Sequence, residues 1–225
     1  MTTIFGIRHP EIEAALLVAD RQGTYFNQTN GLPMGKTLGK KLWIGKENNY
    51  CLGHAGEYDE KTHEFVQNIL EGKYDVQEII SRGKFPELRE LNIIKMGNQI
   101  PDLKKISGLI LATRFDKKPK LYTCFPMGEV GERTWTTFGS GEEHVNQYME
   151  ALRVLNEAKN YETLGEPTLK EGIRVGLEAV RMAQSKDIYS HGLDLLVCTP
   201  EGIQDHRKDL DEDFGIKLKK IQDKY

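Results

Sequence analysis

No stretch of this chain is apolar for anything near the roughly 20 residues that a membrane-spanning helix needs. Charges at Arg8, Glu11 and Glu13 break up the N-terminal stretch, so no secretory signal is read there. Cysteine is scarce: Cys51, Cys124 and Cys198 are odd in number and far apart. Such a set makes neither a disulfide framework nor a zinc site, and reads as buried thiols in a reducing compartment. No metal and no other cofactor is expected. Charge of one sign is not in excess either, since 31 Lys and Arg against 34 Asp and Glu leave a net −3. That balance gives no electrostatic case for nucleic acid or a membrane surface as partner. Internal repeats, low-complexity tracts and obvious linkers are also lacking. The expectation is a soluble, cytoplasmic protein with one domain over 1–225, long enough to bury a substantial core.

What is present is a series of short β-forming stretches with helical periods between them. Thr2–Arg8 is rich in β-formers, His9-Pro10-Glu11 breaks it, and Glu13–Ala19 continues as an apolar strand, so the pair reads as a hairpin. Gly31–Gly39 reads as a turn-rich loop, and Lys41–Gly45 with Asn49–Gly53 as a second hairpin. Thr62–Ile69 sets Phe65, Val66 and Ile69 at helical spacing. From Val76 to Pro101 the pattern is ambiguous, because Gly83-Lys84-Phe85-Pro86 interrupts helical charge pairs. Ile106–Ala112, Leu121–Phe125 and Thr134–Phe138 read as a three-stranded antiparallel meander. Two amphipathic helices follow, Glu142–Lys159 and Thr168–Ser185, the second opened by Thr168 with Glu171 three residues on. Leu193–Thr199 and Ile203–His206 make a last strand pair, and Asp211–Lys224 a final helix. The order is α+β. Two antiparallel sheets stacked face to face, with helix pairs on both outer faces, would bury the apolar side of every element.

One position offers unusual chemistry. Methionine is normally trimmed when the next side chain is small, and Thr2 would then carry a hydroxyl and a free α-amine, a nucleophile with its own base. Five other places could serve it, and each has a plainer reading. Asp20 closes the apolar run Ala14–Ala19, and by itself is a structural partner for Arg21 or a turn cap. Lys41, in Gly39-Lys40-Lys41-Leu42-Trp43, would ordinarily be solvated. Buried beside Asp20, its cation would survive through pairing. Held near Thr2, it would favour a neutral amine and stabilise a developing alkoxide. Gly53, in Leu52-Gly53-His54-Ala55-Gly56, belongs by default to a turn, and in the functional reading turns its N–H towards an oxyanion. Ser140, in Gly139-Ser140-Gly141, is most economically a helix N-cap. Asp187 and Ser190, in Lys186-Asp187-Ile188-Tyr189-Ser190-His191-Gly192, are ordinary loop residues when taken alone.

In this order, these motifs resemble the proteasome β-subunit and HslV superfamily of N-terminal nucleophile (Ntn) hydrolases. The resemblance rests on Thr2-Thr3-Ile4, Ala19-Asp20-Arg21 with Thr24, Gly39-Lys40-Lys41-Leu42, Leu52-Gly53-His54-Ala55-Gly56, Gly139-Ser140-Gly141 and Lys186-Asp187-Ile188-Tyr189-Ser190. It spans nearly the whole chain, except about Tyr74 to Lys105. It implies a four-layer αββα sandwich and a threonine-type endopeptidase working inside a self-assembled ring. Thr2 would be the nucleophile and Lys41, paired with Asp20, the cation that tunes it. Ser140, Asp187 and Ser190 would orient the amine and a water, and Gly53 would be the oxyanion donor. Gly23, Cys51 and Ala55 would line the pocket for the side chain before the cut bond, with Thr24 also on the substrate side. The implied partners are unfolded polypeptides or peptides, further copies of the chain, and α-type ring subunits or an ATP-dependent unfoldase.

Some features depart from the family pattern. The first hairpin loop and the stretch from Thr24 to Lys41 are long, and Gln22 stands where proteasome β-subunits commonly have arginine and looks more like HslV. With only Met1 before Thr2, the expected maturation is by an aminopeptidase, as in HslV, whereas Asp187 with Ser190 looks more like the β-subunit pattern. A divergent bacterial or archaeal member is one option between the two branches. Two other functions stay open: a peptide ligase or transpeptidase on the same Thr2 acyl-enzyme, and a non-catalytic shell subunit.

Overall fold

The computed structural model describes residues 3–9, 13–26, 33–97, 106–158, 168–186 and 192–207. The chain opens with five strands, Thr3–His9 (β1), Ala14–Asp20 (β2), Gln22–Phe26 (β3), Pro33–Leu38 (β4) and Leu42–Ile44 (β5). Tyr50–Ala55 (β6) precedes three helices, Glu60–Leu70 (α1), Val76–Arg82 (α2) and Pro86–Met96 (α3). Gly108–Thr113 (β7), Lys120–Cys124 (β8), Val130–Glu132 (β9) and Trp135–Gly139 (β10) follow. Glu142–Ala158 (α4), Leu169–Lys186 (α5), Leu193–Thr199 (β11) and Gly202–Asp205 (β12) complete the described part. One antiparallel sheet has the order β10-β1-β2-β11-β12 and the other β5-β6-β7-β8-β9, while β3 and β4 pair apart as a two-stranded ribbon.

The unbroken apolar run in β2 has a direct cause: both of its faces are covered. Ala14, Leu16 and Val18 point to α4 and α5, where they pack with Val145, Ile173, Leu177 and Val180. Ala15, Leu17 and Ala19 alternate to the other face and meet Leu42, Cys51, Ile110 and Leu121 of the second sheet. The second sheet repeats the scheme, with Leu52, Leu109 and Leu111 turned to Phe65, Val66, Ile69 and Leu88 of the helices outside it. Helices, sheet, sheet and helices therefore stack as four layers around three apolar seams. The expected α+β sandwich of two antiparallel sheets is the architecture observed.

The sheets approach closely at Gly6. A Cβ there would lie 2.8 Å from Leu121 Cδ1 and 2.9 Å from Ile110 Cγ2, both on the facing sheet. Gly6→Val is therefore expected to cost about 1–3 kcal/mol by overpacking. Urea unfolding would show it as a lowered midpoint at unchanged slope, and an unshifted midpoint would contradict the close approach.

Several elements differ from expectation. The stretch read as the third strand of a meander joins the opposite sheet: β10 pairs with β1, Ile4 opposite Phe138, and its Thr137 Oγ1 donates to the Ile4 carbonyl at 2.9 Å. The place beside β8 is filled by β9 instead. Alternation fixes which face of a strand is buried, not which sheet it joins. Within the stretch read as a loop, Pro33–Leu38 is a strand paired with β3. The ambiguous segment resolves into α2 and α3, separated at Gly83, whose φ of 64° ends α2 in the left-handed region. Thr168 caps α5 as expected, accepting the Glu171 N–H at 3.2 Å. The expected helix Asp211–Lys224 lies outside the described residues.

Candidate active site

β1 and β2 run antiparallel with Ile4 opposite Ala19, which sets the start of β1 beside the end of β2. There Asp20 is fully buried, and its Oδ1 accepts the Thr3 backbone N–H at 2.6 Å. Lys41, just ahead of β5, reaches the same oxygen with its Nζ at 2.7 Å. Its side chain is only 8% exposed. A lysine and an aspartate this deep require each other, because an unpaired charge in the interior is expensive. The plainer expectation of a solvated Lys41 is thus set aside by its burial.

The Gly139–Gly141 turn comes to the same end of β1. Thr3 lies opposite Gly139 in the ladder, and a Cβ on Gly141 would sit 2.2 Å from Thr3 Oγ1 and 2.6 Å from Ala183 Cβ. Only glycine lets this turn close on the N-terminal strand. Ser140 is exposed within it. Gly141, not Ser140, supplies the carbonyl that takes the first bonds of α4, from His144 and Val145, both at 3.1 Å.

The remaining expected residues divide. Thr2, Asp187 and Ser190 lie outside the described residues. Gly23 and Thr24 lie in β3, opposite Thr37 and Lys36. Gly53 is in the interior of β6, between Leu42 and Ile110, and its missing side chain leaves room for Leu42 and Ile4. The next N–H, of His54, points to β5 and the Lys41 carbonyl at 3.1 Å. Alternation then turns the Gly53 N–H towards β7, into the ladder and away from any oxyanion. Cys51 and Ala55 are sealed in the seam between the sheets, at 0% and 3% exposure. Burial raises the Cys51 thiol pKa well above its ordinary value. A wall facing a substrate pocket would need open space there, and the seam has none for these two side chains.

Gly56 differs from Gly53. It follows the last residue of β6 with φ of 116°, and a Cβ there would run into the Ile106 carbonyl. No backbone carbonyl among the described residues takes its N–H. Behind this turn lies a buried polar network that the sequence reading did not single out. His54 Nε2 is 3.1 Å from Ser107 Oγ, which also accepts from Lys95 Nζ at 3.0 Å. Lys95 donates to the Glu57 carbonyl at 2.6 Å as well. Asn92 fixes Ser107 by its backbone, giving to the carbonyl at 2.9 Å and receiving the N–H at 2.7 Å. Burial, with the Lys95 cation second, pushes the His54 imidazole down to about 3, so it is neutral near neutral pH. Positions 54, 92, 95 and 107 share no spacing rule, so only the packing of β6, α3 and the start of β7 reveals the set.

No family model matches the chain. Individual relatives do. It is 30% identical over 97 residues to proteasome subunit beta 2 of Pyrococcus abyssi, covering 40% of each chain. It is 35% identical over 92 residues to proteasome subunit beta 1 of Thermococcus kodakarensis, again 40% of each. The chain is related to proteasome β-subunits. A further match, to the proteasome subunit beta of Methanocaldococcus vulcanius, is 29% identical over 115 residues, 50% of this chain and 46% of that one. The matches thus span less than half the length of the curated relatives. The relationship agrees with the four-layer stack, an arrangement consistent with the Ntn hydrolase fold. Among the described residues no helix is long and apolar enough to cross a membrane.

Proposed function

We propose that the chain is a threonine-type endopeptidase of a proteasome-like, self-compartmentalising particle in the cytoplasm. The observation that carries this reading is the buried Lys41–Asp20 pair, whose shared oxygen also holds the Thr3 N–H. The cation is thereby tied to the residue that follows the proposed nucleophile. Names and coverage of the relatives support the same class.

Removal of Met1 frees the Thr2 α-amine, whose unperturbed pKa of about 7.7–8.0 makes it a usable base near neutrality. Thr2 Oγ attacks the peptide carbonyl while the amine, through a water, takes the hydroxyl proton. Lys41 stabilises the developing alkoxide. The C–N bond then breaks, the proton leaves with the departing amine, and a second water hydrolyses the ester on Thr2. Ser140, Asp187 and Ser190 are assigned to the amine and the water, a role that the nearness of the Gly139–Gly141 turn to Thr3 favours for Ser140. For the oxyanion, the geometry favours the Gly56 N–H over that of Gly53, since it stands beyond the ladder at the Lys41 end of β6. On the substrate side, Gly23 and Thr24 remain candidates, whereas the burial of Cys51 and Ala55 speaks against them. Copies of the chain in a ring, α-type subunits or an unfoldase, and unfolded polypeptides are the partners of this reading.

Intact mass and peptide cleavage test it together. Wild type is expected to lack Met1 and to hydrolyse unstructured peptides, and Thr2→Ala to lose hydrolysis while melting at an unchanged temperature. Full hydrolysis by Thr2→Ala would remove the mechanism. Joined peptides in place of cleaved ones would move the assignment to a ligase.

A further inference from the structure

A second group of charges lies directly behind Lys41. Arg21 follows Asp20 in the chain, and its Nε donates to Asp194 Oδ1 at 2.6 Å, with side chains 17% and 5% exposed. The Arg21 guanidinium also donates to the Arg207 carbonyl. Arg207 in turn grips Asp205 with two nitrogens, Nε reaching Oδ1 at 2.8 Å. Its Nη1 donates to the Leu42 carbonyl at 3.1 Å. The Arg21 carbonyl accepts the Gly39 N–H at 2.6 Å, and the Arg21 N–H donates to the Gly192 carbonyl at 3.3 Å. The backbone of Lys41 is therefore held on both sides, through Gly39 by Arg21 and through Leu42 by Arg207. At Gly192, with φ of 70°, a Cβ would meet Arg21 Cδ at 3.1 Å, so this corner is closely packed.

We propose that Arg21, Asp194, Arg207 and Asp205 form a positioning layer that fixes Lys41 against Asp20, with Arg207 as its central residue. The proposal rests on the reading of Lys41 as the cation that tunes Thr2. None of the four touches the reacting atoms in this scheme; they act through Lys41. The logic is geometric. The lysine stem has four rotatable bonds, and one contact to Asp20 leaves it free to withdraw, whereas a backbone clamped at Gly39 and Leu42 fixes where the stem begins. Two forked arginines suit this task because each makes several directed bonds from one planar group.

Amine footprinting tests the layer without requiring activity. Folded wild type, Asp194→Asn, Arg207→Gln and the milder Asp205→Asn would be reductively methylated with formaldehyde and cyanoborohydride, and labelling at each lysine read by peptide mass. Lys95, whose side chain is 3% exposed, serves as the internal control for general loosening. The expected result is at least about a tenfold faster labelling of Lys41 in Asp194→Asn and Arg207→Gln, a smaller rise in Asp205→Asn, and no change at Lys95. On peptides, kcat should fall while KM stays within about twofold, and Arg207→Lys should recover part of kcat. Unchanged labelling of Lys41, or equal gains at Lys41 and Lys95, overturns the proposal. An inactive wild type in which Met1 is removed overturns the peptidase reading instead, and the footprint alone then decides the positioning role.

Discussion

Lys41→Ala is expected to lose hydrolysis by at least about 10²-fold, and to cost the fold about 3–5 kcal/mol by leaving the Asp20 carboxylate buried without its counter-ion. Against a usual total of about 5–15 kcal/mol, that is a large share. Asp20 is 0% exposed and its Oδ1 serves both Lys41 and the Thr3 N–H, so water offers no ready replacement. The double variant Asp20→Asn with Lys41→Met separates the two losses. Asparagine keeps an oxygen for the Thr3 N–H, methionine keeps the stem, and no charge is buried, so most of the stability should return. Hydrolysis should not. Urea midpoints and peptide turnover on the same three proteins decide the matter. A double variant with wild-type turnover would assign the pair a structural role only, and a stable Lys41→Ala would contradict the burial on which the site is built.

The second large effect concerns pH. The His54 imidazole is held down to about 3 by burial and by the nearby Lys95 cation, whereas an unfolded histidine titrates near about 6.5. Between those values the unfolded chain binds a proton that the folded chain refuses. The stability is therefore fully present above about pH 6.5 and falls below it by about 1.4 kcal/mol per pH unit, levelling off near the folded value. From pH 7 to 5 the loss from this one group is about 2 kcal/mol. Stopping at pH 5 keeps most carboxylates ionised, so the window isolates the histidine. His54→Gln retains a partner for Ser107 Oγ and should lose this part of the pH dependence. Equal pH dependence in wild type and His54→Gln would show that His54 accepts a proton in the folded chain.

Much of the architecture was legible because it follows from periods. The seven apolar residues of β2, the capped start of α5 and the paired strands at β6 and β7 each announce themselves in local sequence. Asp20 and Lys41 could be named from the sequence, but their contact could not: 21 positions separate them, and each has a commonplace solvent-facing role. Gly53 shows the opposite case. A glycine near a strand end suggested a free N–H, yet the register places it inside the ladder, and the left-handed glycine at the end of that strand is Gly56.

The sequence by itself determined the class of elements, the double-sided burial of the central strands and the residue types gathered for Thr2. Only the tertiary structure decided that β10 joins β1, that His54 is sealed neutral against Ser107, and that Arg21 and Arg207 clamp the chain around Lys41. The division is physical. Periodicity and capping act over a few residues and leave their mark in the chain, whereas sheet membership and the pairing of buried charges depend on what the rest of the fold brings within hydrogen-bonding distance.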